Sequence, residues 1–138
     1  MKTRIILLAL SILFIGFVAD ACKKDENKSI DLQSGDWKVI KLKNPRSNDY
    51  SETRNEYILS FKTDTTYGIG LDVNQCGGSY EIKGSGTINI STPACTRVCC
   101  DSDFANNLIQ LLPDMTQYFE RGKELVLEGN GEIVLEKK

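Results

Sequence analysis

From residue 37 onward, apolar and polar residues alternate in short runs, the period-two pattern of half-buried strands. Residues 37–43 (Trp, Lys, Val, Ile, Lys, Leu, Lys) predict a first strand, and the polar, aperiodic residues 44–56 predict a loop. Tyr57, Leu59 and Phe61 then share one face of a second strand, and residues 67–73 and 79–83 predict two more. Gly84, Ser85 and Gly86 turn the chain into a strand at 87–90, with Ile88 and Ile90 on one side. The period changes once. Phe104, Leu108, Leu111 and Leu112 fall at i, i+4, i+7 and i+8, a helical stripe within residues 101–112. Asp101, Ser102 and Asp103 supply a cap and a negative first turn there, and Pro113 stops the helix. Residues 118–120 and 124–127 form a hairpin around Arg121, Gly122 and Lys123, and Gly129, Asn130 and Gly131 lead into a last strand at 133–135. About eight strands and one helix, joined by short turns, predict an α+β fold: a small antiparallel β-sheet curled into a partial barrel and packed on one α-helix.

The first 21 residues follow a different logic. Lys2 and Arg4 precede an apolar run at 5–19 broken only by Ser11 and Gly16. Fifteen residues of helix reach roughly 22 Å, short of the ~30 Å hydrocarbon core, and small residues then lead to Cys22. This is the form of a secretory signal peptide. It resembles a bacterial lipoprotein signal, in which the cysteine is diacylated and becomes residue one; Ala19 stands where leucine is favoured, and Asp20 also departs from the pattern. The resemblance implies a leader at 1–21, a palmitate-type acylated Cys22 with a polar tether over 22–31, and a folded domain at 32–138. Each buried CH₂ of such an anchor contributes about 0.8 kcal/mol, so several acyl chains hold the protein at a membrane. Lys23 follows the cysteine where an inner-membrane retention signal has Asp, which points to the outer membrane. Lys24, Asp25 and Glu26 look like the Lys-plus-acids signal for surface display in Bacteroidota, with the periplasmic face as the alternative location.

Composition narrows the chemistry. The 138 residues contain no histidine, which removes imidazole bases, Ser/His/Asp and Cys/His nucleophile systems, and His-ligated metals. Lys2, Arg4 and Asp20 lie in the leader, so residues 22–138 carry a formal charge of −3 and offer no electrostatic reason to bind nucleic acid. Gly68 and Gly70 are not followed by the Lys-Ser/Thr of a phosphate loop, and Asp64, Asp72 and Glu81 are scattered acids. Trp37 at the start of a strand reads as core rather than as a ligand platform. No catalytic set and no cofactor is expected.

The cysteines are the one chemical constellation. Besides Cys22 there are Cys76, Cys95, Cys99 and Cys100, and an even count in an exported chain predicts two structural disulfides. A vicinal Cys99–Cys100 bond is set aside on geometric grounds. This leaves Cys76 with Cys99 and Cys95 with Cys100, or Cys76 with Cys100 and Cys95 with Cys99. A Cys₄ zinc site or a redox-active thiol is the alternative; Cys95 and Cys99 give one usable zinc-ligand pair, but Cys76 and Cys100 do not give the second.

The order of elements, with particular residues, resembles the META/HslJ family of bacterial envelope proteins. Leu32, Gly35 and Trp37 match its Leu-x-x-Gly-x-Trp opening, and Asn74, Gly78 and Tyr80 match its Asn-x-x-x-Gly-x-Tyr segment. Residues 96–100 look like its Thr-x-Met-Ala-Cys segment, while Phe104, Leu125 and Leu127 fit its helix and final hairpin. Val73 stands where the family often has cysteine, and Cys95 and Cys99 are additional. The resemblance implies the fold and an envelope setting, with heat-shock or drug-tolerance phenotypes in relatives, and brings no catalytic residues. The expectation is a non-enzymatic, lipid-anchored protein that acts in envelope maintenance or stress tolerance by binding an unknown protein partner. The alternatives are an inhibitor-like module against a hydrolase, or a Cys-based metal-binding or redox protein.

Overall fold

In the computed structural model, which describes residues 30–138, the alternating runs become the strands of one antiparallel sheet. The expected leader, Cys22 and the expected tether as far as residue 29 lie outside the described residues. The strands are β1 (Asp36–Lys43), β2 (Ser51–Glu52), β3 (Ile58–Phe61), β4 (Thr66–Gly70), β5 (Gln75–Ile82), β6 (Ile88–Ile90), β7 (Ala94–Cys95), β8 (Met115–Arg121), β9 (Glu124–Gly129) and β10 (Gly131–Lys137). Eight of them run in the order β6-β5-β4-β3-β1-β10-β9-β8, while the two-residue β2 pairs with β1 and β7 with β5. The two ends of this path meet. A bridge pairs Thr87 with Gln117, and Tyr118 N donates to Gly86 O at 2.8 Å, so the curled sheet nearly closes into a barrel.

Alternation decides which side chains point inward. Leu59 and Phe61 of β3, Tyr67 and Ile69 of β4, Cys76 and Tyr80 of β5, and Ile88 and Ile90 of β6 enter the core at every second position. In β1 the inward set is Trp37, Val39 and then Leu42, because a register shift against β10 between Val39 and Lys41 moves the alternation by one residue. The apolar triplets 125–127 and 133–135 are buried on both faces of the sheet, which is why they do not alternate.

The sequence-predicted helix is α1 (Asp103–Leu111), followed by a 3₁₀ turn over Leu112–Asp114 that contains Pro113. Ser102 caps it, its Oγ accepting from Ala105 N at 3.3 Å. Ala105, Leu108, Leu111 and Leu112 are buried, whereas Phe104 is half-buried and stacks on Tyr57 with ring centroids 5.4 Å apart. The helix lies across one end of the barrel, beside the β4–β5 turn and the start of β10. The other end is closed by the 3₁₀ turn Leu32–Ser34, with Leu32 buried and its carbonyl accepting from Trp37 Nε1 at 2.8 Å. Among the described residues, no helix is long and apolar enough to cross a membrane.

Candidate functional site

Two of the motif residues, Asn74 and Thr96, meet where β4 turns into β5, over the entrance to α1. Asn74 is buried to 6% exposure, the one buried polar residue among the described residues apart from tyrosines and Trp37. Its amide is fully used. Oδ1 accepts from Thr96 Oγ1 and from Val98 N, each at 2.8 Å, while Nδ2 donates to Val98 O at 2.7 Å and to Asp101 Oδ2. One side chain therefore fastens three residues of the segment between β7 and the helix.

Backbone bonds complete the clamp. Thr96 N donates to Gln75 O at 3.0 Å, and Gln75 N donates to Thr96 Oγ1 at 3.1 Å. Asp101 reaches in the opposite direction from that expected of a helix cap. Its Oδ1 accepts from Val73 N at 3.0 Å and from Asn74 N at 3.4 Å, and these donors, with the Asn74 amide, hold its carboxyl below the ordinary carboxylate range.

Asp72 does the same work one turn away. It accepts from Ser102 N at 2.9 Å, Ser102 Oγ at 2.7 Å, Tyr57 OH at 2.8 Å and Asn55 Nδ2 at 2.6 Å. The Ser102 backbone N–H contributes most to bringing its carboxyl from 3.8 to about 2, followed by the Ser102 hydroxyl, with Tyr57 and Asn55 adding to them. A carboxyl whose folded pKa lies below its unfolded one stabilises the fold fully above the unfolded value and loses that contribution as pH falls through the folded one. The thermal midpoint should therefore drop between about pH 4 and pH 2, with a shallower slope in Asp72→Asn, as followed by circular dichroism. An equal slope in the variant would show that Asp72 contributes nothing there.

The other motif residues have structural tasks. Tyr80 OH donates to Lys62 O at 2.7 Å and accepts from Gln33 Nε2 at 2.6 Å, tying the 3₁₀ turn to the β3–β4 turn. Gly78 occupies an inward position of β5 where a Cβ would lie 2.8 Å from the Tyr67 ring and 2.5 Å from Ser91 Oγ; only a hydrogen leaves that ring room. A Cβ on Gly35 would come within 3.2 Å of Lys137 Cε. Trp37, at 5% exposure, is core.

The cysteine pairing differs from both expected arrangements. Cys76 is bonded to Cys95 (S–S 1.98 Å, Cα–Cα 4.1 Å), and Cys99 to its neighbour Cys100. The reason is register: β7 places Cys95 directly opposite Cys76 on β5, and the two remaining cysteines are left with each other. Neither expected Cys76 partner, Cys99 or Cys100, is the observed one. The four sulfurs form two separate pairs rather than one tetrahedral set, and among the described residues no group of three or more Cys, Asp or Glu is placed to hold a metal. Cys22 lies outside the described residues.

Elsewhere, an open polar groove of about 330 Å³ runs between Lys43, Asn44, Ser47, Glu128 and Glu132. Glu132 is already engaged by Tyr50 OH at 2.6 Å and Arg121 Nη2 at 2.8 Å. The barrel interior is filled with apolar side chains, and every buried side-chain N or O among the described residues has a partner.

A near-closed antiparallel barrel with one helix across its end and a clamped, cysteine-bearing loop defines a small α+β barrel class. The chain belongs to the META domain family, whose model matches residues 30–138. No curated protein matches it. A DUF4847 family protein from Bacteroides vulgatus is similar in fold, with a TM-score of 0.58 at 15% identity over 78% of this chain and 94% of that one. A protein from Burkholderia xenovorans solved by NMR is similar at a TM-score of 0.59 and 17% identity, covering 78% of this chain and 83% of the other.

Proposed function

We propose that this protein is a lipid-anchored, non-enzymatic envelope protein whose META domain acts in envelope maintenance or stress tolerance by binding a partner. The observation that carries the reading is the sequence of residues 1–21, which has the form of an export leader, followed by Cys22 and a polar stretch to residue 31. The site chemistry supports binding over catalysis. The side chains that could act in a reaction, Asn74, Asp72, Asp101 and Ser102, all hold backbone or one another in place. The filled barrel leaves the outer surface and the loops as the places for a partner.

Metabolic labelling with palmitate in a bacterial host tests the anchor. The wild-type chain should take up label and fractionate with the outer membrane. Cys22→Ser should lose both properties, and unchanged membrane fractionation of that variant would refute lipidation. Protease added to intact cells should digest the domain; digestion only after the outer membrane is permeabilised would place it on the periplasmic face instead.

A further inference from the structure

We propose that Cys99 and Cys100 form a reversible dithiol–disulfide site, reduced by small or protein dithiols while Cys76–Cys95 stays oxidised. The two bonds differ in three respects that bear on exchange.

The first is access. Cys99 and Cys100 are both exposed, with Val98 beside them at 55% exposure, whereas the other bond joins an exposed Cys95 to a Cys76 buried at 6%. Exchange requires a thiolate to reach a sulfur, and the neighbouring pair offers two exposed cysteines where the other bond offers one.

The second is what each bond holds. Cys76–Cys95 spans 19 residues and joins β5 to β7, so the paired strands hold its two sulfurs together and the fold favours the oxidised form. Cys99–Cys100 spans one residue and closes no loop of chain, so its opening releases no tertiary restraint.

The third is the clamp. Val98 is pinned through both its N–H and its carbonyl to Asn74, and Asp101 is pinned to Val73 and Asn74, so the cysteines lie between two fixed points. The loop therefore keeps its place whichever redox form the pair takes.

A thiolate of a dithiol attacks one sulfur of the pair, a mixed disulfide forms, and the other cysteine leaves as thiolate and takes up a proton. The second thiol of the reductant then attacks the mixed disulfide. The net result is two protein thiols and one cyclic disulfide of the reductant, with two electrons and two protons transferred.

Trypsin separates the players, since cleavage after Lys62, Lys83, Arg97 and Arg121 puts Cys76 in peptide 63–83, Cys95 in 84–97, and Cys99 with Cys100 in 98–121. The full exported chain, purified oxidised, would be titrated with dithiothreitol, quenched with N-ethylmaleimide and mapped by mass spectrometry. Peptide 98–121 should gain two labels at a dithiothreitol concentration at least about tenfold below that which separates 63–83 from 84–97, and oxidised dithiothreitol in excess should reverse it. Simultaneous labelling of all four cysteines, earlier opening of Cys76–Cys95, a native cross-link from 98–121 to either other peptide, or free thiols there at the outset would each overturn the proposal. A double variant, Cys99→Ser with Cys100→Ser, should keep the wild-type thermal midpoint. A marked fall would make the bond structural and also overturn it.

Discussion

Asn74→Ala is expected to lower folding stability by about 3 kcal/mol, read as a shift of the urea midpoint at unchanged slope. Truncation removes four side-chain hydrogen bonds at once and leaves Val98 N, Val98 O, Thr96 Oγ1 and the Asp101 carboxylate without their partner. A buried group left unpaired costs about 1–3 kcal/mol, but Val98 and Thr96 lie at the surface and recover part of this from water, so the total stays below the simple sum. Asn74→Asp should do no better. A carboxylate cannot donate to Val98 O, and it would set a second negative charge against Asp101. A loss under about 1 kcal/mol for either variant would mean that the loop is held by its other contacts.

Replacing Cys76 and Cys95 together with serine should cost a comparable amount. The bond spans 19 residues, for which loop-closure entropy in the unfolded chain amounts to about 3 kcal/mol. For a domain of this size, that lowers the thermal midpoint by roughly 10–20 °C. Wild-type protein in excess reductant should melt with the double variant, because the remaining pair encloses no chain. If the variant melts within a few degrees of oxidised wild type, the cross-link contributes no stability and the clamp alone fixes β7.

The eight strands of the barrel path and the helix were legible because each carries its own period. Tyr57, Leu59 and Phe61 alternate, Phe104, Leu108, Leu111 and Leu112 do not, and burial follows both patterns. The failures occur where local pattern has no authority. Ser51–Glu52 and Ala94–Cys95 are strands only because β1 and β5 present edges to them. Alternation predicts a third strand as far as residue 73, but β4 ends at Gly70 because Asp72 and Val73 turn away to meet Ser102 and Asp101. It predicts the fourth from residue 79, whereas β5 starts at Gln75; Gly77 and Gly78 carry no side chain that could show a period. Cysteine connectivity was hidden for the same reason, since it depends on the register of a two-residue strand. The motif reading located Asn74, Gly78 and Tyr80. The parts played by Asp72 and Asp101 have no mark in the sequence, since an acid before a helix looks like a cap whichever way its carboxylate faces.

The short strand β7 has an effect out of proportion to its length. β6 covers β5 only from Tyr80 to Ile82, and along Cys76 and Gly77 the same edge is occupied by Cys95 and Ala94. Without them, the backbone groups of that stretch would stand open as a template on which a foreign strand, or the β5 of another molecule, could add. The covalent tie between Cys76 and Cys95 keeps this guard in position. Wherever many copies lie close together, the disulfide thus protects the solubility of the population as well as the stability of one molecule.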